Sequence, residues 1–177
     1  MSEILEKARK YEMEERMKIA QANRPVYHFS NPVGWMNDPN GFSDYKGEHH
    51  LFFQYYPYAT HWDSMHWGHA KSTDFIKWEY LPAALAPDQD YDNFGVFSGS
   101  AIEDGDRQIL IYTGVEEKVV KNGGKCIRQN QCVAIGNGVE YEKIENNPVV
   151  TGEMLPENCS RIDFRDPKIW KEEDTYY

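Results

Sequence analysis

The first group in this chain equipped for chemistry is a carboxylate held in Trp35-Met36-Asn37-Asp38-Pro39-Asn40-Gly41. Asp38 lies between two asparagine amides, next to a proline that fixes φ and shortly before a glycine that tolerates positive φ, so the segment has strong turn chemistry. A bare Asp-Pro-Asn-Gly would serve any surface turn. Here Trp35 precedes it and the aromatic run Leu51-Phe52-Phe53-Gln54-Tyr55-Tyr56-Pro57 follows it, which supplies walls a surface turn does not need. A second carboxylate, Asp166, stands in Phe164-Arg165-Asp166-Pro167. Arg165-Asp166 could be a local surface ion pair worth little, or one side of a pocket.

The elements around these groups favour the pocket. From Pro25 onward the chain is a series of short Tyr, Phe, Trp, Val and Ile-rich runs parted by Gly, Asn and Asp, as in Glu48 to Tyr56, Ile109 to Thr113, Gln131 to Ile135 and Val139 to Ile144. A faint repeat orders them: Gly41 to Phe53, Ser100 to Tyr112 and Pro167 to Tyr177 each read as strand, charged or Gly turn, aromatic strand. An antiparallel unit of this size predicts propeller blades, the first from Gly41 to Pro82 and the second from Val96 to Glu145, with a third that stops inside its second strand. Because a propeller protects its sheets by closing the ring, the reading is of an N-terminal fragment of something longer. In each unit the notable residues, Asp38, Phe97-Ser98-Gly99 and Arg165-Asp166-Pro167, fall just before the first strand, so they are expected to converge at one end of a central channel.

The segment before Pro25 differs. Glu3 to Ala22 is rich in helix formers with a thin apolar stripe of Ile4, Ala8, Tyr11 and Met17 to Ile19, which predicts one amphipathic helix packed on its own domain. The division is thus a helical lead over 1–24 and an all-β domain over 25–177. With 177 residues, 40% of them hydrophobic and 14% aromatic, the chain can bury a core. Its net charge of -10 and lack of a basic patch argue against a nucleic-acid partner. No secretory signal and no membrane-spanning run is present, so a cytoplasmic location is expected. Cys126, Cys132 and Cys159 are odd in number and form no CxxC, which predicts free thiols. His61, Asp63, His66 and His69 fit no common zinc spacing, so neither metal nor cofactor is expected. Gly123-Gly124 and Gly136-Asn137-Gly138 read as hairpin turns, since no helix follows to hold a phosphate.

Taken together, Trp35 to Gly41, Gln54-Tyr55-Tyr56-Pro57, His66-Trp67-Gly68-His69-Ala70, Phe97-Ser98-Gly99-Ser100-Ala101 and Phe164-Arg165-Asp166-Pro167 resemble glycoside hydrolase family 32, the invertases and fructan hydrolases. The resemblance runs from about Pro25 to the last residue. Tyr27-His28-Phe29 and the helical lead look most like the bacterial intracellular branch, acting on sucrose or sucrose 6-phosphate. The resemblance implies a five-bladed propeller followed by a β-sandwich, and a retaining attack on a β-fructofuranosyl bond. It implies Asp38 as nucleophile and Asp166 as transition-state stabiliser, with Arg165 helping to keep Asp166 charged. Asn37, Gln54, Trp62, Phe97 and Ser98 match positions lining the fructose pocket. The amides flanking Asp38 would bond its charged form.

The family's general acid, a Glu in a Glu-Cys motif downstream of Arg-Asp-Pro, has no counterpart here: Cys159 follows Asn158 and lies upstream of Asp166. The chain on its own is therefore expected to be nearly inactive, since an unassisted leaving group forfeits roughly 10² to 10⁴ in rate. A fructoside-binding module without turnover and a fructosyltransferase on the same fold are the alternatives, and the sequence does not rank sucrose, sucrose 6-phosphate, inulin and levan.

Overall fold

A computed structural model of the chain describes residues 1–120 and 123–177. Strands β1 (Trp35–Tyr45), β2 (Glu48–Tyr56), β3 (His66–Ser72) and β4 (Glu79–Leu85) form one antiparallel sheet in the order β1-β2-β3-β4. Strands β5 (Gly95–Asp104), β6 (Arg107–Val119), β7 (Lys125–Gly136) and β8 (Tyr141–Lys143) form a second sheet of the same meander order, and β9 (Lys171–Glu172) pairs with β10 (Thr175–Tyr176) in a third. The repeat seen in the sequence is thus a repeat of sheets. Its turn chemistry is legible too: the first hairpin of each unit closes through two residues, Lys46-Gly47, Gly105-Asp106 and Glu173-Asp174. Lys46 and Gly47 both take positive φ, the signature of a turn whose twist matches the strands it joins.

The two large sheets meet across one hydrophobic core. Phe52, Trp67, Ala84 and Leu85 of the first pack against Val96, Ala101, Leu110, Tyr112, Cys132, Ala134 and Tyr141 of the second. The other face of the first sheet, with Phe53, Tyr55, Ala83 and Ala86, is covered by Leu5 and Val33, with Tyr11, Phe29 and Met36 at its margin. Both faces of β3 are therefore buried, and His66 to Ala70 is inaccessible throughout. Gly68 is required there, because a Cβ would stand 2.1 Å from the Phe53 ring.

Helix α1 (Glu3–Arg16) starts at Ser2, whose hydroxyl accepts a 3.2 Å bond from the Leu5 amide, and carries Glu3 and Glu6 in its first turn. It packs on its own domain as expected, at the edge strand β4: Arg9 Nε donates to the Ala83 carbonyl at 2.9 Å and the Ala83 amide donates to Glu12 Oε1 at 2.9 Å. Two details of the helix differ from expectation. It ends at Arg16 rather than Ala22, because Met17, 79% exposed, has left the sheet, and helix propensity without a buried face does not sustain a helix. The buried residues are Leu5, Ala8 and Glu12, with Tyr11 packed beside them: Ala8 and Tyr11 lie inward as expected, but Leu5 takes the place of Ile4, which faces solvent. Among the described residues no helix is long and apolar enough to cross a membrane, and Cys126, Cys132 and Cys159 are free thiols.

Candidate active site

Asp38 is not ahead of the first strand but inside it. In the β1–β2 ladder Asn37 faces Gln54 and Pro39 faces Phe53, so Asp38 is the extra residue of a β-bulge. Pro39 follows it because the bulged position frees the strand from needing an N–H there. The bulge turns the carboxylate out of the ladder, and Asp38 is exposed. The second sheet repeats the device: Phe97 faces Thr113 and Gly99 faces Tyr112, leaving Ser98 as the bulged residue of β5. Both segments were expected before their strands. They lie within them because a bulge keeps the main chain extended while re-aiming one side chain.

Side chains of the first sheet hold the second bulge in place. Trp67 Nε1 donates to the Phe97 carbonyl at 3.0 Å, Gln54 Nε2 donates to the Val96 carbonyl at 3.0 Å, and the Val96 amide donates to the Met65 carbonyl at 2.9 Å. Gln54 is consequently buried, with one amide donor engaged in the framework. Phe97 meets Trp62 edge-to-face at 6.0 Å, and Phe94 lies 5.9 Å from Trp62, so three aromatic rings form one wall beside Ser98. Trp62 stays 44% exposed, available to a ligand.

The amides around Asp38 make other bonds than those expected. Asn37 Oδ1 accepts from the Trp35 indole at 2.8 Å, and Asn40 Nδ2 donates to the main-chain carbonyl of Asp38 at 3.3 Å rather than to its carboxylate. The asparagines shape the bulge.

Asp166 reaches the same end of the sheets from an extended segment that follows the second sheet. Its backbone is in the left-handed region, φ 61°, where a non-glycine residue persists only when its surroundings hold it. The hold is visible. The Asp166 amide donates to Thr113 Oγ1 at 2.9 Å; Phe164 is gripped at its carbonyl by Gln131 Nε2 (2.8 Å) and at its amide by Gln129 Oε1 (2.9 Å). Ser100 Oγ donates to the Pro167 carbonyl at 2.9 Å and accepts from the Ile169 amide at 2.8 Å. The Asp166 carboxyl is held above the ordinary carboxylate range by the atoms that crowd it and then by the negative charge of Asp38, with Arg165 pulling the other way. The two carboxylates thus feel each other. Arg165 keeps its Nε 3.9 Å from Asp166 and makes its shorter contact, 2.6 Å, with Asp163. It moderates the Asp166 charge without outweighing the other two effects.

Seven of the eight sequence-predicted residues are tied to one end of the two sheets by these contacts: Asn37, Asp38 and Gln54 in β1 and β2, Phe97 and Ser98 in β5 with Trp62 against them, and Asp166. Arg165 is at the rim, pointing along the surface. The residues that fasten Asp166, above all Thr113 and Gln131, were missed. Their signal was a polar side chain at the edge of an apolar run, in Ile109 to Thr113 and again at the start of Gln131 to Ile135. The histidines disperse: His66 and His69 are buried while His61 and Asp63 are exposed, and among the described residues no three His, Cys, Asp or Glu side chains are grouped to hold a metal.

Residues 28–177 match the model of the glycosyl hydrolases family 32 N-terminal domain. The sucrose-6-phosphate hydrolase of Zymomonas mobilis is 44% identical over 155 residues, covering 86% of this chain and 29% of that protein. The levanase of Bacillus subtilis is 43% identical over 156 residues, covering 85% of this chain and 22% of that protein. Among solved structures, a GH32 beta-fructofuranosidase of Bombyx mori superposes with a TM-score of 0.82 at 44% identity, covering 97% of this chain and 35% of the other. The chain therefore spans about a third or less of the length of these relatives. By its family match and by relatives of this identity, the chain belongs to glycosyl hydrolases family 32, as part of that family's N-terminal domain.

Proposed function

We propose that this chain carries the nucleophile side of a retaining glycosidase site that cleaves the terminal β-fructofuranosyl bond of sucrose or sucrose 6-phosphate. The observation that carries the proposal is Asp38: an exposed carboxylate turned out of its strand by a bulge, within the electrostatic reach of Asp166 and beside an aromatic wall. A retaining glycosidase needs one ionised carboxylate to attack the anomeric carbon and one carboxylic acid to protonate the leaving oxygen, roughly 5 Å apart. Asp38 takes the first role. Asp166, its backbone fixed, accepts hydrogen bonds from fructose hydroxyls and offsets positive charge as the oxocarbenium-like state develops. Trp62 and Phe97 supply the apolar wall, and Asn37, Gln54 and Ser98 shape the polar side. None of these residues is assigned the acid role. Relatives named for sucrose 6-phosphate, raffinose and levan support a fructoside and leave the leaving group to the rim of the pocket.

The test is hydrolysis of sucrose and of sucrose 6-phosphate by the protein that contains this chain, followed by NMR of the fructose anomer released first. Retention, with activity abolished by Asp38→Asn, is the expected result. Release of the inverted anomer, or turnover that survives Asp38→Asn, would remove Asp38 from the nucleophile role. Residues 1–177 alone are expected to give no turnover.

A further inference from the structure

We infer that Thr113 is a positioning residue for catalysis: its hydroxyl sets the place and backbone conformation of Asp166, and through that the rate of bond cleavage. This rests on the fructosidase reading of the site. Thr113 is fully buried in β6 and has no access to a sugar, so it can act only through what it touches. It touches the site twice. Its Oγ1 accepts the Asp166 amide at 2.9 Å, and the one proton it carries is within reach of two acceptors, the Ser98 carbonyl at 3.2 Å and Gln131 Oε1 at 3.3 Å. A single hydroxyl therefore joins the bulge of β5 to the turn of Asp166. Gln131, 4% exposed, extends the same chain of bonds by giving its Nε2 to the Phe164 carbonyl at 2.8 Å.

The geometry explains why a hydroxyl is needed here. Asp166 holds φ at 61°, a conformation that is unfavourable in a non-glycine residue and relaxes when nothing enforces it. The amide of the strained residue is the group that Thr113 binds. Valine has the same shape and keeps the core filled, but it leaves that amide and the Ser98 carbonyl without their partner. Asp166 is then free to relax toward negative φ, which swings its carboxylate away from Asp38. A displacement of about 1 Å in a group that meets the transition state lowers a rate by roughly 10²-fold.

The experiment uses the complete native enzyme and four proteins: wild type, Thr113→Val, Asp166→Ala and the double variant, with Thr113→Ser as the conservative control. Thr113→Val is expected to lower kcat for sucrose by about 10 to 100-fold, with KM changed by less than about threefold. Thr113→Ser keeps the hydroxyl and is expected to stay within about threefold of wild type. In the Asp166→Ala background, Thr113→Val has nothing left to misplace and is expected to cost less than about twofold. An equal loss in both backgrounds, a Thr113→Val protein that no longer folds by circular dichroism, or a Thr113→Ser enzyme as slow as Thr113→Val would each assign Thr113 to the framework alone and overturn the inference. The wild-type assay separates this from the reading beneath it: a wild type without fructosidase activity refutes the proposed function, whereas an active wild type with an indifferent Thr113→Val refutes only the positioning role.

Discussion

The two large sheets of this chain are built alike and used differently. Each is a four-stranded meander whose innermost strand is bulged near its start, and in each the bulge turns one side chain toward the same end of the molecule. In the first sheet that side chain is Asp38 and in the second it is Ser98. The scaffold repeats, so the chemistry is decided by which residue occupies a shared geometric position. The supporting bonds are unequal as well. The first sheet lends Gln54 and Trp67 to hold the bulge of the second, and the second lends Ser100, Thr113, Gln129 and Gln131 to hold the Asp166 segment. Each sheet therefore fixes the active group of its neighbour, and the site cannot form from one sheet.

The sharpest way to break this comparison is to remove the bulged side chains in turn. On the proposed reading, Asp38→Ala in the complete protein removes the attacking group, and kcat is expected to fall by on the order of 10⁵. On the same reading Ser98→Ala removes only a hydroxyl at the side of the pocket, and its expected cost is about tenfold. Steady-state rates on sucrose decide it. Equal losses at the two positions would mean that bulge geometry, not the identity of the residue, carries the site.

The glycines beside the bulges give the next contrast, read in stability. A Cβ at Gly99 would stand 2.0 Å from the Ile111 carbonyl oxygen and 2.8 Å from the Tyr112 Cα, both main chain, so the β5–β6 pair has to separate. At Gly41 the added atom would meet the Phe52 ring at 2.7 Å, with φ at 56° adding strain. Ring atoms yield more readily than a strand. Gly99→Ala is expected to cost about 4 kcal/mol and Gly41→Ala about 2 to 3 kcal/mol, measured by urea unfolding. The reverse order would show that the backbone strain at Gly41 outweighs the steric clash at Gly99.

Much of this was legible in the sequence, and for physical reasons. Alternating aromatic and β-branched runs with Gly and Asp punctuation specify strands and two-residue hairpins locally, so β2 was read with its observed limits, Glu48–Tyr56. Asp38 stood out because its neighbours are expensive for a plain turn, and Asp166 because it holds the matching place in the repeat. The bulges did not, because a bulge depends on the register between two strands and no single segment states it. Thr113 and Gln131 were hidden for a related reason: their partners lie 53 and 33 residues away, at Asp166 and Phe164. Ala8 and Tyr11 of the helix stripe face inward as read, but Leu5 stands where Ile4 was expected and Glu12 was missed, because it is a charge that hydropathy assigns to solvent.

Glu12 also marks the difference between the outer edges of the two sheets. The second sheet trims its outer strand to Tyr141–Lys143, while the first caps β4 with α1 through Arg9 and Glu12. Burial pushes the Glu12 carboxyl up to about 7 from an ordinary 4.5, against the opposing pull of the Ala83 amide, Arg9 and Arg16. The folded state thus binds this proton more tightly than the unfolded chain does. The stability it brings is complete below pH 4.5 and is lost as pH rises through about 7, a change on the order of 3 kcal/mol. The buried imidazoles act in the opposite sense. Burial lowers His66 to about 4 from 6.5, and lowers His50 and His69 as well, so their stability is present above pH 6.5 and is lost as pH falls toward 4. The two windows overlap, so between pH 4.5 and 6.5 the Glu12 and histidine contributions oppose each other in wild type. Glu12→Gln keeps an oxygen to accept the Ala83 amide and carries no titratable proton, so the stability difference between wild type and Glu12→Gln should favour wild type most at pH 5 and shift toward the variant as pH rises to 8. Thermal unfolding of both proteins at pH 5, 6.5 and 8 checks this. A difference between the two proteins that does not change with pH would mean that the carboxyl at the α1–β4 contact is ionised throughout, and that the edge cap holds by Arg9 and the apolar residues alone.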